Sequence, residues 1–297
     1  MKGTLAQELR SMIKGEVLEG ATMRELTSFR IGGEAPLLVR PSSKEETIRV
    51  LQFFQNRGVP WKVLGRGTNL LVDDRGIPWA VVDLRWANRK LEVKGRAVSA
   101  GAGVLLGELL HLCATKGLSG LEPLAGIPGT VGGAIRGNAG SGGIEICSRV
   151  RSLSIIGPKG VEERRGPLSY SYREGPLSPG EVLWEAVFEL EEDDPKDIRG
   201  RLSSFIEGRR RRQPLDMPSA GCIFKNPPEG PAGRLIEEAG LKGMRRGGAA
   251  VSEIHANFIV NLGGATFADV SGLIEDVRER VAQVHGVELE LEVEVWS

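Results

Sequence analysis

The residues most suggestive of chemistry lie in one glycine-dense stretch, Gly126-Ile-Pro-Gly-Thr-Val-Gly-Gly-Ala-Ile-Arg-Gly-Asn-Ala-Gly-Ser-Gly-Gly143. Glycine loses more conformational entropy on folding than any other residue, so a cluster of it implies positive φ angles or a backbone that something approaches closely. Thr130, Arg136 and Asn138 stand among the glycines. Main chain without side chains offers N–H groups that can close on a diphosphate. A buried turn cluster or a set of β-bulges is the alternative reading of the composition. A second candidate is Gly65-Arg-Gly-Thr-Asn-Leu-Leu-Val72, a glycine turn with Thr68 and Asn69 between two apolar strands. A Rossmann fingerprint needs a third glycine where Leu70 stands and a helix after it, so a phosphate-binding turn of another type is expected, with a hairpin turn as the alternative. A third glycine site, Gly101-Ala-Gly-Val-Leu-Leu-Gly107, follows a hairpin and opens no parallel crossover, which marks it as a structural turn from strand to helix.

The elements that must position these loops follow from local pattern. Thr27-Ser-Phe-Arg-Ile-Gly-Gly33 is a polar turn leading into a short strand over 36–40. Ser42 or Ser43 caps a helix with Glu45 and Glu46 in its first turn and Gly58 at its end. Strands are predicted over 61–64 and 70–72, and a hairpin over 91–100 precedes an apolar helix ending near Gly117. A second hairpin turns about Gly157-Pro-Lys-Gly160, and a strand over 182–190 alternates Val182, Trp184, Ala186, Phe188 and Leu190 on one face. Between them lies the polar, aromatic loop Ser169-Tyr-Ser-Tyr-Arg173. Pro195 starts a helix that runs to Arg209-Arg-Arg-Arg212, where Gln213-Pro214 ends it. Four arginines there read as a solvated helix C-terminus compensating the dipole, and as a domain boundary. The last third is an α+β unit: Pro218 to Pro227, a helix over 232–239, a strand over 258–261, a helix capped by Thr266 and stopped by Gly286, and a final strand over 287–295. That strand turns Val287, Leu289, Leu291, Val293 and Val295 inward and Glu288, Glu290, Glu292 and Glu294 outward. Such a carboxylate face is ordinarily an exposed sheet surface, although one member could overlook a cleft.

A chain of 297 residues has room for two or three packed units. Its 39 basic and 39 acidic residues balance, which predicts neither a nucleic acid nor a membrane partner. Cys113, Cys147 and Cys222 are scattered, without the spacing of a disulfide scaffold or a zinc site, and are expected as reduced thiols in the cytoplasm. No stretch has the length of a signal-peptide core or a membrane span.

Seven motifs occur in a characteristic order: Gly65-Arg-Gly-Thr-Asn69, Gly120-Leu-Glu122, the 126–134 glycine run with Asn138-Ala-Gly140, Tyr172-Arg173, Gly221-Cys-Ile-Phe-Lys-Asn-Pro227, His255-Ala-Asn-Phe258 and Leu289-Glu-Leu-Glu-Val293. Together, over nearly the whole chain, they resemble the UDP-N-acetylenolpyruvoylglucosamine reductase family, also called UDP-N-acetylmuramate dehydrogenases. The resemblance implies an α+β protein: a two-subdomain FAD-binding unit of the vanillyl-alcohol oxidase (PCMH) type, at 1–86 and 87–208, then a substrate-binding domain at 209–287, with the strand 288–297 returning near the active site. It implies noncovalent FAD, NADPH as co-substrate, a UDP-sugar substrate, and a cytoplasmic monomer that makes UDP-N-acetylmuramate for peptidoglycan.

Roles follow from that resemblance. Arg173 and Glu292 align with catalytic residues, Arg173 to pair with the substrate carboxylate and Glu292 to assist if kept protonated or hydrogen-bonded. Cys222 stands where many members have serine; a thiol with pKa near ~8.5 is the stronger acid and can donate the proton. Gly65, Gly67, Thr68, Asn69, Pro128, Thr130, Gly132 and Asn138 are implied to line FAD, Lys225 and Asn226 to meet the UDP diphosphate, and Asn257 to lie near substrate. The short span between Arg173 and Cys222 resembles the form of the family without an inserted tyrosine loop. Two rival readings are an FAD oxidase of the same superfamily, disfavoured by the 221–227 motif and the terminal glutamate, and a catalytically silent nucleotide-binding module.

Overall fold

The computed structural model describes residues 2–157 and 160–297, with only the backbone of 2 and 3. Pro158 and Lys159, at the turn of the predicted hairpin, lie outside the described residues. The chain forms two units: Met1–Glu19, Pro36–Arg66 and Trp79–Gly208 make the first, and Gly20–Ala35, Gly67–Pro78 and Arg209–Ser297 the second.

The first unit has two sheets and two cores. One sheet orders its strands Glu16–Thr22, Glu34–Arg40, Ala80–Asp83, Trp61–Leu64, and Ala80–Asp83 pairs in parallel with both of its neighbours. Its core joins Val39 and Val82 to Leu9 of the helix Lys2–Met12 and Val50 and Phe54 of the helix Lys44–Asn56. Ser43 caps the second helix as expected, its hydroxyl accepting from the Glu46 N–H. The other sheet is antiparallel, ordered Gly160–Arg165, Val150–Gly157, Val182–Glu189, Ala97–Gly101, Leu91–Lys94. Ala186 and Phe188 pack there with Leu106 and Leu109 of the helix Leu106–Thr115 and with Val131 and Ile135 of the six-residue helix Val131–Arg136. The third glycine site is the structural turn expected, since a Cβ at Gly101 would lie 2.5 Å from the Asn88 side chain and one at Gly103 2.7 Å from the Arg85 carbonyl.

Glu46 shows how local sequence and packing combine. It is 4% exposed, and its carboxylate accepts from the N–H groups of Lys14 at 2.7 Å, Gly15 at 3.2 Å and Ser42 at 2.8 Å and from the Ser42 hydroxyl at 2.8 Å. Burial alone would raise its pKa, but these donors outweigh it and bring the carboxyl from the ordinary 4.5 to about 2. The unfolded chain therefore takes up this proton first as pH falls. The stabilisation is full above 4.5 and disappears as pH drops through about 2. Glu46→Gln is expected to cost about 2–3 kcal/mol at pH 7 and far less near pH 2, read by denaturant unfolding at the two pH values. Equal stabilities at pH 7 would dismiss the account.

The second unit carries an antiparallel sheet ordered Ser219–Cys222, Phe258–Asn261, Ala249–Val251, Arg245–Arg246. Two helices pack on it, Ala232–Glu238 and Phe267–His285, the latter with a Thr266–Asp269 capping box and Gly286 at φ 67. Three departures from the sequence reading arise here. Phe29, Ile31 and Leu71 are fully buried in this core, so 20–35 and 67–78 group with the C-terminal residues and not with the rest of 1–86. The final strand over 287–295 is regular only at Glu294–Trp296, which pairs in parallel with Leu70–Val72. Its inward–outward alternation nevertheless holds: Val287, Leu289 and Val293 are buried and Glu288, Glu290 and Glu294 exposed. The hairpin alternative for 65–69 drops out, because Trp61–Leu64 pairs with Ala80–Asp83 and Leu70–Val72 with Glu294–Trp296.

Candidate active site

In the second unit the candidate proton donor sits on a bulge. Ser219 pairs with Val260 and Cys222 with Phe258, so three steps along one strand oppose two along the other. The extra residue is taken up at Gly221, whose φ of 80 is the left-handed conformation that glycine allows at least cost. A bulge re-aims the side chains after it, and here that side chain is Cys222. Buried Ile223 and Phe224 anchor the chain immediately beyond.

Asn257 holds that anchor. Its backbone carbonyl accepts from the Ile223 N–H at 2.9 Å, and its buried side chain accepts from the Phe224 N–H at 2.9 Å and donates to the Phe224 carbonyl at 2.8 Å. The C-terminal segment lies against the other side of the loop. The Ile223 carbonyl accepts from Glu292 N–H at 2.8 Å, Lys225 N–H donates to the Glu290 carbonyl at 2.8 Å, and Lys225 Nζ pairs with the Glu290 carboxylate at 3.3 Å. Asn69 completes the frame, its side chain donating to the Glu292 carbonyl at 3.0 Å and its carbonyl accepting from Glu294 N–H at 3.0 Å. Residues 69, 223–225, 257 and 290–294, separated by more than two hundred positions in sequence, thus form one hydrogen-bonded cluster. Asn226 Oδ1 accepts from Ala232 N–H at 3.0 Å, at the start of the helix Ala232–Glu238. Gly67 is required by its own neighbours: φ is 65, and a Cβ would stand 2.2 Å from the Leu26 carbonyl. Thr68 lies half-buried between Gly67 and Asn69.

In the first unit the glycine stretch leads into the helix Val131–Arg136, capped by Thr130, whose hydroxyl accepts from the Gly133 N–H at 3.3 Å. Gly126, Pro128 and Gly133 are exposed, Gly132 is half-buried, and Gly126 and Gly129 have φ of 79 and 142. Gly65 faces the same cap, since a Cβ there would lie 2.9 Å from Thr130 Oγ1. Exposed main chain free of side chains, next to a hydroxyl cap and a second glycine turn, suits the diphosphate of a dinucleotide such as FAD.

Arg173 stands at the end of this stretch. Its backbone is left-handed at φ 60, its guanidinium lies 5.1 Å from the Tyr172 ring centroid, and Nη1 donates to the Gly140 carbonyl at 3.4 Å. Asn138, which the resemblance implies lines FAD, is instead fully buried: its amide donates to the Ser171 carbonyl and accepts from the Cys147 N–H, so its side chain is turned into the protein rather than toward a cofactor.

Residues 213–296 match the family described as UDP-N-acetylenolpyruvoylglucosamine reductase, C-terminal domain, and 35–164 match an FAD binding domain. A UDP-N-acetylenolpyruvoylglucosamine reductase from Moorella thermoacetica is 46% identical over 297 residues, 99% of this chain and 97% of that protein. The chain belongs to the UDP-N-acetylenolpyruvoylglucosamine reductase family. The crystal structure of the family member from Thermus caldophilus has a TM-score of 0.81 at 36% identity, over 96% of this chain and 100% of its own. A berberine bridge enzyme variant, 16% identical, shares the fold with a TM-score of 0.52 over 64% of this chain and 44% of its own. The FAD-binding fold of the vanillyl-alcohol oxidase type, inferred from the motifs, rests on these matches together with the α+β architecture.

For a member of the reductase family, the three cysteines differ in a telling way. Burial, with Glu122 nearby, pushes the Cys113 thiol up to about 12, and burial, with Glu145 nearby, does the same to Cys147. Cys222 is half-buried. Between Arg173 and Cys222 the chain holds the turn before the strand Val182–Glu189, that strand, the two-residue strand Glu191–Glu192, the helix Pro195–Arg212 and the approach to Ser219–Cys222. Sequence reasoning missed the clamp made by Asn257 and the loop contact of Arg136, whose guanidinium donates to the Leu177 carbonyl at 2.9 Å. Polar residues inside motifs were the available signal, but they do not say which backbone groups they meet.

Proposed function

We propose that this protein reduces UDP-N-acetylglucosamine enolpyruvate to UDP-N-acetylmuramate, using NADPH as electron donor and noncovalent FAD, as a cytoplasmic monomer in peptidoglycan precursor synthesis. The observation that carries the reading is full-length likeness to a UDP-N-acetylenolpyruvoylglucosamine reductase, 46% identical across 99% of the chain. The framed 222–225 loop and the exposed glycine backbone support it. No described helix is long and apolar enough to cross a membrane.

When bound, FAD supplies a two-electron relay from NADPH to the enolpyruvyl methylene carbon. The two glycine turns would hold it, with Thr130 and Pro128 in one and Thr68 and Asn69 in the other. Lys225 and Asn226 take the UDP diphosphate, a cation and an amide opposite two phosphates. Addition of hydride to the methylene carbon leaves an electron pair on the adjacent carbon, delocalised into its carboxylate. Arg173 meets that carboxylate with a forked pair of N–H donors and stabilises the growing charge. Glu292, protonated or hydrogen-bonded, assists without adding a bare negative charge. Cys222 Sγ gives its proton to the carbon bearing the electron pair, and the thiolate is reprotonated from water.

The test is spectroscopic. Purified holoprotein is expected to be yellow, to bleach anaerobically with NADPH, and to recover its colour far faster with the enolpyruvyl UDP-sugar than with oxygen, with one UDP-N-acetylmuramate formed per flavin. Faster recovery with oxygen would indicate an oxidase, and a colourless protein that takes up no FAD would indicate a silent nucleotide-binding module.

A further inference from the structure

We propose that Asn138 is a positioning residue for Arg173. This rests on the role given to Arg173 above. Asn138 has no exposed surface. Its Nδ2 donates to the Ser171 carbonyl at 2.8 Å, and its Oδ1 accepts from the Cys147 N–H at 3.3 Å. A side chain enclosed in this way meets protein at both ends of its amide, so its contribution to a bound ligand is indirect.

What the amide joins is informative. Ser171 and Glu174 close a turn on themselves by reciprocal backbone bonds of 2.9 and 3.1 Å, and Arg173 lies inside that turn in a left-handed conformation, φ 60. A non-glycine residue is disfavoured there, so the turn must be held from outside. Contacts with the end of the helix Val131–Arg136 and the residues after it hold it: Gly175 N–H to the Arg136 carbonyl at 3.0 Å, Arg136 Nη1 to the Leu177 carbonyl at 2.9 Å, the Asn138 amide to Ser171, and Arg173 Nη1 to the Gly140 carbonyl at 3.4 Å. Of these contacts, the Asn138 amide meets the turn ahead of Arg173, and the bonds to Gly175 and Leu177 hold the chain just behind it. Asn138 itself has φ 41, a left-handed value asparagine tolerates better than most residues. Its side chain therefore links the glycine stretch to the turn that carries Arg173, with the Cys147 N–H fixing the amide's orientation.

Asn138→Gly keeps the backbone conformation and deletes the amide, and Asn138→Asp keeps the acceptor for Cys147 and deletes the donor to Ser171. In the holoenzyme, either variant is expected to retain FAD with a dissociation constant within about twofold of the parent, and to slow substrate-driven flavin reoxidation by about 10- to 100-fold. Adding either change to Arg173→Ala is expected to cost less than about threefold more, because the group being positioned is already gone. A stability-only role would instead lower the unfolding midpoint and multiply with Arg173→Ala. Parent-like reoxidation in both Asn138 variants, or a loss that persists undiminished in the Arg173→Ala background, overturns the inference. If Arg173→Ala alone reoxidises normally, it is the assignment of Arg173 that fails. If Asn138→Gly does not fold, Asn138→Asp and its double variant decide by the same readouts.

Discussion

Cys222→Ala is expected to leave anaerobic bleaching by NADPH at the parent rate and to slow reoxidation by the enolpyruvyl UDP-sugar by about 10²- to 10⁴-fold, the usual worth of a positioned proton donor. Cys222→Ser is expected to retain part of the parent rate. A hydroxyl in the same place is a weaker acid than a thiol, yet it can deliver a proton where the site already stabilises the carbanion. The argument depends on placement as much as on acidity. Gly221 at φ 80 makes the bulge that shifts Cys222 relative to Phe258, and Asn257 and Glu292 pin the next residues by backbone bonds. Cys113 and Cys147, with thiols pushed up to about 12 by burial, provide an internal contrast. Stopped-flow absorbance separates the two half-reactions. Parent-like product formation by the alanine variant removes Cys222 from the mechanism.

Arg173→Ala is expected to lower kcat/KM for the enolpyruvyl substrate by about 10²- to 10³-fold while FAD binding stays within a few-fold, because loss of one preorganised oxyanion partner has effects of that size. Arg173→Lys restores the charge but not the fork, and most of the loss is expected to remain. Holding an arginine at φ 60 costs about 1–2 kcal/mol, so neither variant gains an obvious new backbone penalty. Steady-state kinetics with a flavin titration check this, and a lysine variant with parent-like kcat/KM would refute the bidentate role.

Much of this was legible before any coordinates. Ser43, Thr266 and Gly286 announced helix ends because a capping side chain bonds to backbone two or three residues away and a left-handed stop needs only its own φ. The two hairpins were readable for the same reason: pleat and turn act over a few positions. The single face expected for 182–190 holds only from Ala186 to Leu190, because a bulge at Trp184 turns Leu183 into their core and Val182 and Trp184 into the other core of the unit. The motifs likewise identified the family and singled out Cys222, Arg173 and Glu292. The grouping of 20–35 and 67–78 with the C-terminal unit was not readable, because it depends on where Phe29, Ile31 and Leu71 find a core.

The sequence by itself determined the inventory of chemistry: a thiol in a Gly-Cys motif, an arginine after tyrosine, glycine-rich main chain and the caps and strands around them. Only the tertiary structure decided that Glu294–Trp296 pairs with Leu70–Val72, that Asn69 ties to the chain around Glu292, and that the Asn138 amide meets Ser171. The reason is the range of the forces. Propensities, caps and turns are set by neighbours along the chain, whereas the partner of a distant carbonyl or a buried amide exists only once collapse has brought remote backbone to it.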